Sequence, residues 1–196
     1  MNFFVAGDGN TPLSPDEEDD LIPSLATKEE LNEWERLNIV EAYAWALDRR
    51  GLARRDPLTE PYVRELHRRM FDQTWKWAGK YRTTEKNLGV PSYRICEQLG
   101  ALLGNVRYWL EHRTMQPDEI AVRFHHRLVS IHPFANGNGR HSRLMADVLV
   151  RRQGRPIFTW GSAGNLPAPV LRRAYIASLQ AADGHDLAPL LRFARN

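Results

Sequence analysis

The sequence predicts a mainly α-helical fold. Apolar residues return at intervals of three and four along most of the chain, and capping residues stand ahead of several such stretches. The alternation of strands with helices that builds a parallel sheet is absent. With 196 residues, 42% of them hydrophobic and 26% charged, the chain can bury one core and fits one domain with appendages.

Residues 1–22 hold Gly, Asn, Pro and an acidic block without apolar periodicity, and read as a flexible acidic tail. Thr27 and Glu30 form a capping box ahead of Leu31, Trp34, Ile39, Ala42 and Ala46, which predicts a helix up to Gly51. Thr59 offers the next N-cap, and Val63, Leu66, Met70 and Trp77 predict an amphipathic helix ending near Ala78 and Gly79. Between Tyr81 and Ile95 the helical stripe is lost; Thr, Val, a central Gly and a Pro take its place, and a short β-hairpin flap is expected. Leu99, Leu102, Leu103, Val106 and Leu110 restore helical spacing, and Pro117, Asp118 and Glu119 open a helix through Phe124, Leu128 and Ile131. The next helix begins inside GNGR and runs through Leu144, Val148 and Leu149 to Gly154. After the loop RPIFTWGS, two helices are expected over residues 168–182 and 186–195.

The net charge of +3 hides an uneven distribution, because the first 20 residues carry six acids and no base. Residues 21–196 therefore hold 27 basic against 18 acidic side chains, and 23 of the bases are Arg, the residue that grips phosphate through two parallel hydrogen bonds. A single cysteine, Cys96, excludes an internal disulfide and a cysteine-built zinc site. No apolar run approaches the roughly 18 residues that span a bilayer. The start MNFFVAGDGN lacks the basic and apolar regions of a secretory leader, so a cytoplasmic chain without a membrane partner is expected.

The densest chemical signal is HPFANGNGRHSR, residues 132–143. A histidine closes one helix, and a glycine-rich turn opens the next. Gly137 and Gly139 allow a tight turn and close approach of a ligand to the backbone. The amides of Gly137, Asn138, Gly139 and Arg140 then stand at a helix N-terminus, where anions bind, and Arg140 and Arg143 are three apart on one face. The arrangement suits a polyphosphate. Neither the P-loop pattern nor the dinucleotide-binding GxGxxG after a strand is present.

HPFANGNGR closely resembles the HxFx(D/E)GNGRxxR signature of Fic proteins. WAGKYRTTEKNLGV resembles the family's flap region, and AYIASLQAADGHDLAPLLRF its C-terminal helices. ELNEWERLNIVEA, FHHRLVSIHPF and FTWG resemble the subgroup called mobile mystery protein B. The resemblance implies a Fic-type helical bundle with the flap over the active site. It divides the chain into a tail (1–22), an N-terminal helical extension (23–57) and a Fic domain (58–196).

The implied activity is transfer of a nucleotide monophosphate, AMP from ATP first of all, onto a Ser, Thr or Tyr hydroxyl of a target protein. His132 would be the general base. Gly137, Asn138 and Gly139 would cradle the phosphates, and Arg140 and Arg143 would hold the β and γ groups. Phe134 would anchor the loop in the core, and Lys86, Asn87, Leu88, Gly89 and Val90 of the flap would clamp the target as an added strand. Where the signature has Asp or Glu to hold Mg²⁺, this chain has Asn136, a neutral amide that weakens the expected metal site. Many family members carry an inhibitory (S/T)xxxE(G/N) helix whose glutamate pairs with the motif's second arginine; Glu33 and Glu35 are the candidates here. The subgroup also implies an antitoxin-like or helix-turn-helix partner.

Transfer of UMP, phosphate or phosphocholine is the alternative within the family, and a non-catalytic nucleotide-binding or nucleic-acid-binding module the alternative outside catalysis. Arg49/Arg50, Arg68/Arg69 and Arg151/Arg152 lie on separate helices without a DNA-reading motif, so nucleic acid is not the expected partner. His125, His126, His132 and His141 lack HExxH, and the adjacent pair points about 100° apart on a helix, against a zinc site.

Overall fold

The computed structural model describes residues 11–164 and 166–196. Among them stand nine α-helices: α1 (Pro15–Glu18), α2 (Lys28–Leu47), α3 (Arg49–Arg54), α4 (Glu60–Phe71), α5 (Ile95–His112), α6 (Pro117–Ile131), α7 (Asn138–Arg152), α8 (Ala168–Asp183) and α9 (Ala188–Arg195). The mainly α expectation holds. Helix α7 is central, with Leu144, Met145, Ala146, Val148, Leu149 and Val150 all buried. It packs along α6, which contributes Ile120, Phe124, Leu128 and Ile131, and α2 and α4 cover another side of it. Each of these large apolar side chains contributes about 1.5–3 kcal/mol on burial.

The capping signals fix the helix starts. Thr27 accepts the Glu30 N–H while the Glu30 carboxylate returns to the Thr27 N–H, the reciprocal box that opens α2. Thr59 accepts the Tyr62 N–H to open α4. The helix ends depart from expectation for local reasons. Helix α2 stops at Leu47 instead of running to Gly51, because Asp48 leaves helical geometry and its carboxylate accepts the Gly51 N–H at 2.7 Å, capping α3. Helix α4 stops at Phe71, after which tight turns carry the chain through Trp75 to Trp77. Both tryptophans are buried, so the spacing of Trp77 had reported burial outside a helix.

The expected β-hairpin does not form. Among the described residues the only β pairings are isolated bridges, Leu21 with Trp75 and Tyr81 with Phe134. The flap's backbone bonds to the end of α6 and the loop after it: Arg82 N–H donates to Pro133 O at 3.0 Å and Val90 N–H to Ile131 O at 3.3 Å. The Arg82 side chain takes the acceptors a second strand would have used, Thr84 O at 2.9 Å and Val90 O.

The expected tail is only in part open to comparison, since residues 1–10 lie outside the described residues. Residues 11–22 are packed onto the domain. Leu13 is buried, Ile22 N–H donates to Thr74 O at 2.9 Å, and Trp77 Nε1 donates to Glu17 O at 3.1 Å. An acidic composition hid this, because the apolar anchors are single residues without a period.

Candidate active site

His132 closes α6 in the left-handed region, φ 55° and ψ 60°, a conformation that non-glycine residues adopt at a cost in strain. Arg82 holds it there: its Nε donates to His132 O at 2.7 Å while its other nitrogens bind Thr84 O and Val90 O. The guanidinium thus ties the flap to His132. Burial pushes the His132 imidazole down to about 4, so the ring is neutral at physiological pH. Its Nδ1 lies 3.3 Å from Val129 O, which assigns the proton to Nδ1. The lone pair of Nε2 is then free to accept, and it does so from the Thr11 hydroxyl at 2.7 Å.

The turn that follows is fixed from within. Phe134 is fully buried, and the His67 ring stacks on it with centroids 3.6 Å apart. His67 Nδ1 accepts the Gly79 N–H at 3.0 Å, which leaves Nε2–H to donate to Asn136 O at 3.1 Å. The side chain of Asn138 spans the loop, accepting from Phe134 N–H at 2.9 Å and donating to Phe134 O at 2.8 Å. Gly137 has φ 75°, and a Cβ there would stand 2.5 Å from the Phe71 ring, so the fold itself demands glycine. At Gly139 a Cβ would meet Tyr175 at ordinary contact distance, its hydroxyl at 3.5 Å and a ring carbon at 3.9 Å; this glycine leaves the first turn open to close approach.

The first intrahelical bond of α7 is His141 N–H to Gly137 O, 2.9 Å. The amides of Asn138, Gly139 and Arg140 therefore head the helix ahead of that bond, in the position that binds anions. The two arginines diverge despite their spacing. Arg140 turns toward α2 and α4, with Nη1 2.5 Å from Glu35 Oε2 and Cζ 4.9 Å from the Phe71 ring centre. Arg143 lies over Tyr175 of α8, 5.0 Å from the ring centre. Glu35 is buried and also accepts Trp75 Nε1–H at 2.8 Å, whereas Glu33 is exposed on its own neighbour Arg36. Of the two glutamates, the structure brings only Glu35 to the site, and onto the motif's first arginine instead of the second. A cleft of about 510 Å³ opens beside it, lined by Asn32, Arg36, Ile39, Val40, Tyr43 and Arg140.

Lys86 to Val90 pass beside His132: a Cβ on Gly89 would stand 2.6 Å from His132 Cβ. Lys86 is not turned to solvent. It donates to Pro12 O at 3.0 Å and pairs with Glu17. Asn136 Oδ1 accepts the adjacent Gly137 N–H at 2.6 Å and its Nδ2 donates to Thr11 O at 3.3 Å. With that oxygen engaged, and with no group of three or more metal-ligating side chains among the described residues, the motif does not fit a protein-held Mg²⁺.

Arg82, His67 and Asp147 are the site-supporting residues that the sequence did not disclose. Asp147 sits on the buried side of α7, accepting Phe158 N–H at 3.1 Å and Trp160 Nε1–H at 3.1 Å, and burial pushes its carboxyl up to about 7. The other histidines part company: His125 faces Tyr175, His126 faces Asp183, and His141 Nε2 bonds Val63 O at 2.9 Å.

Fold and site together define an α-helical protein in which a neutral buried imidazole faces a hydroxyl beside an anion-binding helix start. A model of the Fic/DOC family matches residues 57–150. The chain is 36% identical over 141 residues to protein adenylyltransferase fic-1 of Caenorhabditis briggsae, covering 67% of this chain and 25% of that protein. Protein adenylyltransferase Fic of Culex quinquefasciatus is 31% identical over 147 residues, 70% of this chain and 27% of that one. A solved variant fragment of Fic-1 from C. elegans superposes with a TM-score of 0.67 at 28% identity, over 91% of this chain and 51% of that one. BepC of Bartonella tribocorum, solved with bound AMPPNP, shares the fold with a TM-score of 0.66 at 16% identity, over 91% of this chain and 95% of that one. The chain belongs to the Fic/DOC family. It spans about a quarter of the length of the curated relatives it matches.

Proposed function

We propose that this chain is a protein adenylyltransferase that moves AMP from ATP to a Ser, Thr or Tyr hydroxyl. The observation that carries this reading is the lone pair of His132 Nε2, accepting from a hydroxyl at 2.7 Å beside the start of α7. A neutral imidazole in this tautomer takes the proton as the hydroxyl oxygen attacks the α-phosphorus. The amides of Asn138, Gly139 and Arg140 face the charge that develops on the phosphate oxygens, and Arg140 and Arg143 steady the leaving pyrophosphate. The cleft beside Arg140 has the size of a nucleotide site. Asn136 offers Mg²⁺ no carboxylate, and its amide oxygen is already engaged by the Gly137 N–H.

Glu35 is the brake in this reading. While it neutralises Arg140, that guanidinium is withheld from the nucleotide, and the brake lies on the chain's own helix α2. Transfer of α-labelled ATP to proteins of a lysate, by wild type and His132→Ala, tests the assignment. Label dependent on His132 supports it; equal labelling by both removes His132 from the chemistry.

A further inference from the structure

Thr11 belongs to none of the motifs in this chain, yet among the described residues its hydroxyl is the group that meets Nε2 of the proposed base. Its Oγ1 lies 2.7 Å from His132 Nε2, within the reach that proton abstraction requires, and the residue is buried. The contact joins residues 121 positions apart, so it does not arise from chain proximity.

The segment carrying Thr11 is seated by groups of the flap and the motif. Asn136 Nδ2 donates to Thr11 O at 3.3 Å, and Lys86 Nζ donates to Pro12 O at 3.0 Å. Lys86 also pairs with Glu17, whose other carboxylate oxygen accepts from the Thr84 hydroxyl at 3.1 Å. Leu13 is buried, and Lys76 N–H binds Asp20 O at 3.0 Å farther along. Charge, backbone and apolar contacts thus agree on one placement, in which residues 11–20 lie where an incoming target would present its hydroxyl.

We propose that Thr11 is a self-modification site: the chain transfers AMP to its own Thr11, in cis. This rests on the adenylyltransferase reading above. In the step, the Thr11 proton passes to His132 Nε2, a bond forms from Oγ1 to the α-phosphorus of ATP, and the bond from that phosphorus to the β-phosphate's bridging oxygen breaks. Pyrophosphate leaves with the electron pair. The modified oxygen has no proton left to donate to His132, so the reaction removes the hydrogen bond that seats Thr11 and opens the base to other hydroxyls.

The test incubates the full chain, as wild type and as Glu35→Gln to release Arg140, with ATP labelled at the α-phosphate and Mg²⁺. The tryptic peptide 1–28 is then sequenced by mass spectrometry, since Lys28 is the first basic residue. Expected are AMP on Thr11, a rate constant independent of protein concentration, a loss of at least ten-fold in Thr11→Ala and His132→Ala, and retention within a few fold in Thr11→Ser. Label on other residues or on lysate proteins with none on Thr11 overturns this inference and leaves the transferase reading standing. No label on any protein, with Glu35→Gln included, overturns both.

Discussion

Glu35 Oε2 lies 2.5 Å from Arg140 Nη1, joining helix α2 to the first turn of α7 across 105 positions of sequence. The pair is partly buried, and the second carboxylate oxygen is held by Trp75 Nε1, so Glu35 is fixed from two sides. A hydrogen bond between charged groups contributes about 1.5–3 kcal/mol. Replacing Glu35 by Gln keeps its shape and removes the charge that occupies Arg140. ATP affinity is expected to rise about ten-fold, at the lower end of that range. Glu29→Gln, on the exposed first turn of α2, is expected to change nothing. Titration calorimetry of both variants decides; equal affinities would show that Glu35 does not compete with phosphate.

His132→Ala removes the proton acceptor but none of the groups that face the phosphates. Transfer is expected to be abolished, with ATP affinity within a few fold of wild type. Binding by calorimetry and transfer from labelled ATP separate the two effects, and a loss of affinity as large as the loss of rate would place His132 among the nucleotide contacts.

Arg143→Ala is expected to weaken ATP binding by about ten-fold, the scale of one charge-assisted hydrogen bond. Arg173→Ala, on the exposed side of α8, serves as the control for general positive charge. Equal losses for both would mean that charge density and not position holds the nucleotide.

Arg82 is buried, and its three donor nitrogens each meet a different carbonyl: His132 O, Thr84 O and Val90 O. A lysine keeps the charge but gathers its donors on one nitrogen, which cannot reach acceptors spread around a planar guanidinium. Arg82→Lys and Arg82→Ala are therefore both expected to lower thermal stability by several degrees, since the buried His132 carbonyl left unpaired costs about 1–3 kcal/mol. Transfer is expected to fall in parallel as the base loses its anchor. Full transfer by Arg82→Lys would show that charge alone suffices.

These residues divide by how far their partners lie along the chain. HPFANGNGR was legible because its parts are local: His132 ends one helix, Gly137 supplies a positive φ, and Arg140 and Arg143 follow on the next. The starts of α2 and α4 were legible for the same reason, through Thr27 with Glu30 and through Thr59. Arg82, His67 and Glu35 were not, since each acts on a partner at least 50 positions away and none carries a local pattern. The hairpin was misread because Thr and Val content reports extended backbone but not which backbone it pairs with. The docking of residues 11–22 was hidden by composition: acidic residues read as solvated until Lys86 supplies a counter-charge.

The buried histidines give the chain a marked acid sensitivity. Burial holds His125 and His141 at about 3, His132 at about 4, and His67 well below 6.5. In the unfolded chain all four titrate near 6.5. As pH falls below that value the unfolded state takes up four protons that the folded state refuses, so their stability is present above 6.5 and is lost on descent toward about 4. Asp147 works the other way. Its folded carboxyl takes a proton near pH 7 while the unfolded one stays ionised down to about 3.8, which adds stability on descent. Near pH 5 the balance is a net uptake of about three protons on unfolding, a slope of at most about 4 kcal/mol per pH unit. That slope is steep against a total stability on the order of 5–15 kcal/mol. Urea unfolding is expected to show a sharply lower midpoint at pH 5.5 than at pH 7.5. Asp147→Asn, whose amide oxygen can still accept from Phe158 N–H, removes the opposing proton and is expected to steepen the loss. A midpoint unchanged over this range would mean that the folded histidines take up protons as readily as those of the unfolded chain, so that burial does not hold them neutral.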